Sequence, residues 1–423
     1  MSRNQSTTRG FAKMSALNIL DLNDDCLGYL LNYLTAEDQI SFAQVCCRFR
    51  AVAIAWAGKQ FRQFTLDENS SRQELIGFCI CRESVEGLTI DLEYFDTSRS
   101  FRNFGCVAPI NCFSILCLTL TGMVSLKRLI VKKSKEKSFI PIEKPFEKIL
   151  TAVRGLNELK VLELHARDEF TYDNVIQLKH LEELHLHIAQ INAPVLAKCC
   201  KSNLSLRHLY LGYNSVQRNL SDIVPYCANL ETLQFGMMAE PSAYKPLAKL
   251  PKLRQLIHFG VRRSGSFVPL LTDLAARRQQ LQRLEIDGGT LSIEETLQIV
   301  RQSGLRQLKC FCSTAESVEM LSQLTQLQEL SIWMSSRTEI SAALLKVIGE
   351  CKHLQLLCIA SGNVSPDFIE DVTKLLFENR TEPNQTPLKL ELPFTDCTSR
   401  NKELSQRNKV LSCSAFEIDS WKC

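Results

Sequence analysis

No apolar run in these 423 residues reaches the ~20 residues that a membrane-spanning helix needs. The longest, "CFSILCLTLTGMVSL" at 112–126, stops short. The opening "MSRNQSTTRGFAKMSALNIL" has no apolar stretch of signal-peptide length, so secretion is not expected. Neither sign of charge dominates: 50 Lys and Arg against 46 Asp and Glu leave a net +4, which singles out no partner. The one basic cluster, "VKKSKEK" at 131–137, is broken by Glu136 and reads as a solvated loop. A nucleic-acid binder would need a basic stripe that is missing here. Also missing are a glycine-rich phosphate loop, a G-x-S-x-G elbow and zinc-ligand spacing, so an enzyme lacks its usual signatures. "DGG" at 287–289 follows a strand pattern and reads as a turn.

Eighteen cysteines are present, yet none are paired as C-x-x-C. Most sit in apolar periodic segments such as "LKCFC" and "LLCIA", where free cysteine behaves as a small hydrophobe. The expectation is a reduced protein of the cytoplasm or nucleus with core thiols, not a disulfide framework. At 45% hydrophobic and 23% charged the composition is globular. The length suits two or three ordinary domains or one long repeat array.

The array is visible. L-x-x-L-x-L recurs as "LKVLEL", "LEELHL", "LRHLYL", "LETLQF", "LRQLIH", "LQRLEI", "LRQLKC", "LQELSI" and "LQLLCI". The leading leucines are 159, 181, 206, 230, 253, 281, 305, 327 and 354, between 22 and 28 residues apart. So narrow a period over nine copies means a solenoid. The alternation within each copy is that of a strand, two residues inward and their neighbours outward. Between copies lie helix-like stretches, "APVLAKCCKS", "VPLLTDLAARRQ", "SIEETLQIVRQSG", "SAALLKVIGECK" and "SPDFIEDVTKLLFEN". Some open on capping signals, Ser292 with Glu295 three residues on and Ser365 before Pro366.

This pattern resembles the leucine-rich repeat family, with "CANL" at Cys227 and "CKHL" at Cys351 similar to its cysteine-containing subclass. The asparagine that usually follows the strand in that family is present only at Asn214. Weaker copies, "FRQFTL", "VEGLTI" and "LKRLIV", start the array near Phe61, with Glu93–Leu120 and Lys132–Gly155 read as irregular or inserted. "PLKLELPF" and "SAFEIDSW" read as degenerate repeats or a cap, which such stacks require.

Upstream, Leu27, Leu30, Leu31 and Leu34 form one helical stripe. Thr35 with Asp38 then caps a second helix. On it Phe42, Val45, Cys46, Phe49, Val52, Ala53 and Trp56 make one face, and Ile40, Ala43, Cys47 and Ile54 another. A helix apolar nearly all round must be covered nearly all round, by a partner or by the start of the array. Adjacent Cys46 and Cys47 would point about 100° apart on a helix, which suits packing and not the chelation of one ion.

The segment Leu22–Arg50 resembles an F-box at Leu22, Asp25, Leu27, Leu30, Leu31, Leu34, Asp38, Ala43, Val45, Cys46, Arg48 and Phe49. It departs at Asn23, where proline is usual, at Cys26, and at Gln39, where leucine is usual. The resemblance implies docking on the Skp adaptor of SCF (Skp–cullin–F-box) ubiquitin ligases, and through it on cullin and RING subunits. It places Leu22, Leu27, Leu30, Leu31, Leu34, Ile40, Val45, Cys46 and Phe49 at that contact, with Gln39 near it.

The strand pattern also sorts the outward side chains into columns. One is Glu163, His185, Tyr210, Gln234, Ile257, Glu285, Lys309, Ser331 and Cys358. The next is His165, His187, Gly212, Gly236, Phe259, Asp287, Phe311, Trp333 and Ala360. The "LRQLIH" copy puts His258 inward. His165, His185, His187 and His208 cluster beside Glu163, Glu183 and Tyr210. The cluster reads as a polar recognition patch that gains charge at low pH, or as surface variation. A metal is geometrically possible there, but side chains fanning over a flat sheet with no readable supporting shell assign none. Phe259, Phe311 and Trp333, with Asp287, are either interface anchors or covered by a loop or the C-terminal tail.

The expected architecture is α/β: a small all-helical F-box at 18–58, then a solenoid at 59–398 with parallel strands on the concave face and helices on the convex face. About 12 repeats are expected, regular from 156, with a disordered tail at 1–17 and a cap or tail at 399–423. The expected function is substrate recognition in an SCF ligase, targeting a bound protein for ubiquitination and degradation, without catalysis, cofactor, nucleic acid or membrane. The alternative is a scaffold whose F-box-like helices only cap the repeats.

Overall fold

The computed structural model describes residues 18–96, 109–133, 140–166, 173–213, 216–217, 219–236, 241–335, 338–361, 363–379, 386–393 and 411–416. The expected tail at 1–17, most of the C-terminal segment and Asn214 lie outside them.

The N-terminal unit is helical. A short 3-10 turn, Ile19–Asp21, precedes α1 (Asp24–Leu31), α2 (Ala36–Val45) and α3 (Cys47–Ala57). Asn23 caps α1 in place of the usual proline, its Oδ1 accepting from the Cys26 amide at 2.8 Å. Thr35 caps α2 by accepting from the Asp38 amide at 3.2 Å. The single second helix read from the sequence is in fact two. Cys46 sits between them in an extended conformation (φ −158°, ψ 170°), and its Sγ accepts from the Phe49 amide at 3.4 Å, capping α3. Cys46 is half-buried and Cys47 exposed.

From Gln63 onward strand and helix alternate. Among the described residues fourteen parallel strands pair in chain order into one sheet, from Gln63–Leu66 to Leu411–Phe416. Helical segments of the described residues connect successive strands, among them Arg72–Ile80 (α4), Ala193–Ser202, Val268–Ala276, Ile293–Val300, Ser341–Glu350 and Phe368–Asn379. The two segments read as irregular or inserted carry the helices Pro109–Leu120 and Pro145–Val153, so each of these early repeats has a helix beside its strand. The Ser292–Glu295 capping box is present, whereas the last helix begins at Phe368, after a turn at Pro366 and Asp367. Strand Leu411–Phe416 pairs in parallel with Leu388–Pro393, so this part of the C-terminal segment extends the stack.

Repeat leucines such as Leu162, Leu184, Leu209, Leu233, Leu256 and Leu284 line up in register and are fully buried. Each contributes about 1.5–3 kcal/mol by burial. His258 does point inward, edge-on to Phe235 and Phe267. Polar ties between turns sit three residues before a repeat leucine. Asn203 accepts from the Leu181 amide at 2.8 Å and donates to Leu178 O at 3.1 Å. Gln302 accepts from the Leu281 amide, and Cys351 Sγ lies 3.3 Å from Leu324 O, as its donor. This ladder lies ahead of the strands, whereas Asn214, the expected asparagine after a strand, lies outside the described residues.

Candidate functional site

The helical unit carries its own small core. Leu27, Leu31 and Phe49 are 0, 1 and 2% exposed, packed with Phe42, Ala43, Val52 and Ala53; Phe42 and Phe49 stack at 4.3 Å. Leu22, Leu34 and Cys46 lie half-buried against that core. These six were expected at the partner contact. The first three have no side-chain surface to offer, because three short helices enclose their interior before any partner arrives.

Ile40 is half-buried and turns toward the repeats, lining a cleft of about 280 Å³ with Phe61, Phe64 and Ile80. Gln39 also differs from its expected place: its Nε2 donates to Leu31 O at 2.8 Å and Leu34 O at 3.3 Å, closing the carboxyl end of α1. Of the nine expected residues, Leu30 (37%) and Val45 (66%) are exposed. They are joined by Trp56, which the sequence placed on an apolar face, and by Ile19, Leu20, Tyr29 and Tyr33, which it did not single out. The i, i+4 spacing of Tyr29 and Tyr33 across the end of α1 was the available signal. Their rings meet edge-on at 5.3 Å. Arg48 braces this end, with Nε 2.9 Å from Asp24 Oδ1 and Nη1 2.8 Å from Leu20 O.

The open face of the sheet bears the second group. Strand register reproduces the first expected column, Glu163 through Cys358, residue for residue. The second column breaks three times. Tyr213 replaces Gly212 beside Gly236, Thr290 replaces Asp287 beside Phe311, and Ser361 replaces Ala360 beside Trp333. A shift of register at each strand is the cause. At the second, Gly288 has φ +83°, and a Cβ there would stand 1.8 Å from Gly260 O. "DGG" is therefore a bulge that lets two backbones touch. Phe259 does not join Phe311; it lies half-buried beside Tyr213, ring centroids 6.4 Å apart. Phe311 and Trp333 do stack, at 5.0 Å and 10°.

The histidines gather as expected. His165 and His187 stack at 4.4 Å, and His185 stacks on Tyr210 at 4.1 Å. His165 Nε2 lies 2.7 Å from Glu163 Oε1, and His185 Nε2 2.6 Å from Glu183 Oε1. His208 Nδ1 is 3.0 Å from Thr232 Oγ1. Burial pushes His187 down to about 4, helped by His165 and His185 and opposed by Glu163. Burial raises the Glu163 carboxyl, but the His165 hydrogen bond and the charges of His185, His165 and Arg128 outweigh it and hold it below the usual range. The patch is thus a mesh of imidazoles and carboxylates, poorly suited to an acidic ligand.

Residues 19–53 match the family model described as F-box domain. The N-terminal unit is an F-box domain, and a leucine-rich-repeat solenoid follows it. No curated protein matches the chain. Among solved structures, an internalin from Listeria monocytogenes is similar at 14% identity and a TM-score of 0.40, over 78% of this chain and 89% of its own. An LRR protein from Leptospira interrogans is similar at 12% identity and a TM-score of 0.33, over 85% and 98%. The solenoid itself rests on the parallel sheet and its repeat spacing. Among the described residues no helix is long and apolar enough to cross a membrane.

Proposed function

We propose that this chain is the non-catalytic substrate-recognition subunit of an SCF ubiquitin ligase. The F-box docks on the Skp adaptor, and the open sheet face holds a protein target. Transfer then follows from proximity: a tethered target meets the conjugating enzyme at high effective concentration. The observation that carries the reading is an F-box whose Leu20, Tyr29, Leu30, Tyr33 and Val45 remain exposed after its core is filled, ahead of a repeat array. Exposed apolar side chains in such number on a small unit call for a partner. Phe311, Trp333, Tyr213 and Phe259 are the anchors proposed for the target. Free thiols fit a reducing compartment, cytoplasm or nucleus.

A binary binding measurement with the purified Skp adaptor tests the docking. Leu30→Asp with Val45→Asp should weaken binding at least about tenfold while leaving helix content unchanged, since neither belongs to the core cluster. Binding that is absent for the intact chain, or unaffected by the pair, would sink the proposal. One observation favours a scaffold reading instead: the F-box is seated on the array. Gln73 Nε2 donates to Glu37 Oε1 at 2.7 Å, and Ile80 packs against the F-box core. Under that reading the intact chain shows no affinity for the adaptor.

A further inference from the structure

We propose that Glu163, His165 and His187 form a binding site for a divalent transition ion of zinc's class, with a coordination position left open toward the sheet's exposed face. One ligand atom from each of the three lies within 4.8 Å of those of the other two. Ligands around a zinc ion stand about 3.2–3.5 Å apart, at metal distances of about 2.0–2.2 Å. Because the His165 and His187 rings stack only 10° from parallel, one imidazole must turn out of the stack for both nitrogens to face one ion.

The fold fixes the three positions. His165 and His187 are direct register partners on neighbouring strands, and Glu163 precedes His165 by two residues on the same face. Both strands are anchored on the inner side by fully buried Leu162, Leu164, Leu184 and Leu186. The carboxylate is also oriented from behind. Arg128 Nη2 holds Glu163 Oε2 at 3.2 Å, which leaves Oε1 facing the imidazoles, at 2.7 Å from His165 Nε2. Such outer partners accompany metal ligands and set their direction. All three side chains are half-buried and spring from one side, so the opposite hemisphere belongs to water or to a side chain of whatever lies on this face.

Two imidazoles and a carboxylate suit zinc, cobalt(II) or nickel(II) better than magnesium or calcium, which prefer all-oxygen shells. The nearby Arg128 guanidinium opposes the ion's charge and keeps the affinity moderate. His185 and His208 are turned to Glu183 and Thr232 and stay outside the set.

The test uses the full chain, stripped with chelator and titrated with zinc(II) by calorimetry and with cobalt(II) by visible absorption. A single ion should bind, with the intense bands of a low-coordinate cobalt site. His165→Ala, His187→Ala and Glu163→Gln should each weaken binding at least about tenfold, and His208→Ala should not. His187→Cys should retain cobalt and add a thiolate charge-transfer band, which a merely disturbed surface cannot produce. Binding that persists undiminished in His165→Ala with His187→Ala would assign the ion to the chain's thiols and overturn the site. So would the lack of a stoichiometric ion in the intact chain. Neither result bears on adaptor docking.

Discussion

His187 makes the stability of the metal-free protein depend on pH. Its folded value of about 4 lies below the ordinary 6.5. As pH falls below 6.5 the unfolded chain takes up a proton there and the folded chain does not, so stability falls with it. The contribution of the neutral ring is whole above that window and is lost on descent toward 4. The titratable groups acting on it are His165, His185 and Glu163, the last of which Arg128 holds. Urea denaturation in chelator should show a lower midpoint at about pH 5 than at neutral pH, and His187→Gln should reduce the difference. An undiminished difference in the variant would place the titration elsewhere. At this scale the sequence was most legible where a leucine fixes its neighbours: Glu163, His185 and Tyr210 fell in line because alternation has a period of two. It was least legible one residue further along. Tyr213, Thr290 and Ser361 displace Gly212, Asp287 and Ala360 because extra residues in a strand, one at the first and last and three at the second, leave no mark on the leucine pattern. Glycine at 288 and 289 was the one available sign, and it was read as a turn.

Between the strand Gln255–His258 and the helix Ile293–Val300 a buried ion pair ties two repeats together. Arg262 Nη1 and Glu295 Oε1 are 2.8 Å apart with both side chains fully enclosed. Arg262 also donates to Gly289 O at 3.0 Å, and Glu295 accepts from the amides of Phe267 at 3.0 Å and Ser292 at 2.9 Å. Removing one partner leaves an uncompensated charge in the interior. Glu295→Gln should therefore cost about 3–5 kcal/mol, while Arg262→Met with Glu295→Met should cost much less, the pair's desolvation being relieved. Equal losses in the single and double variants, measured by chemical denaturation, would show that the pair acts only through its backbone bonds. Ser292 and Glu295 announced the helix start in the sequence, but their distant partner did not. Arg262 lies 33 residues upstream, with no local pattern to join it to Glu295. The break at Cys46 was hidden for a related reason. With neither proline nor glycine to mark it, the apolar faces of α2 and α3 run on as if along one helix, because both helices bury the same interior.

At the scale of the molecule, the F-box is continuous with the stack it precedes. Its α2 faces α4 of the first repeat, and Leu31, Gln39, Ile40 and Ala43 line one side of the cleft whose other side is Phe61, Phe64 and Ile80. End repeats of a solenoid need a covering surface, because each turn buries its apolar side only against neighbours. Deleting residues 1–58 should therefore lower the melting temperature and raise binding of a hydrophobic dye, whether or not the F-box also serves an adaptor. Truncation alone cannot tell receptor from scaffold. The distinction falls to substitutions on the outer side: Leu30 and Val45 are exposed and outside the core cluster, so their loss leaves the cap in place and removes only the surface offered to a partner. A truncated chain that melts unchanged and binds no dye would show that the first repeat closes its own end, and the F-box would then be a tethered module whose exposed side chains have no role but docking.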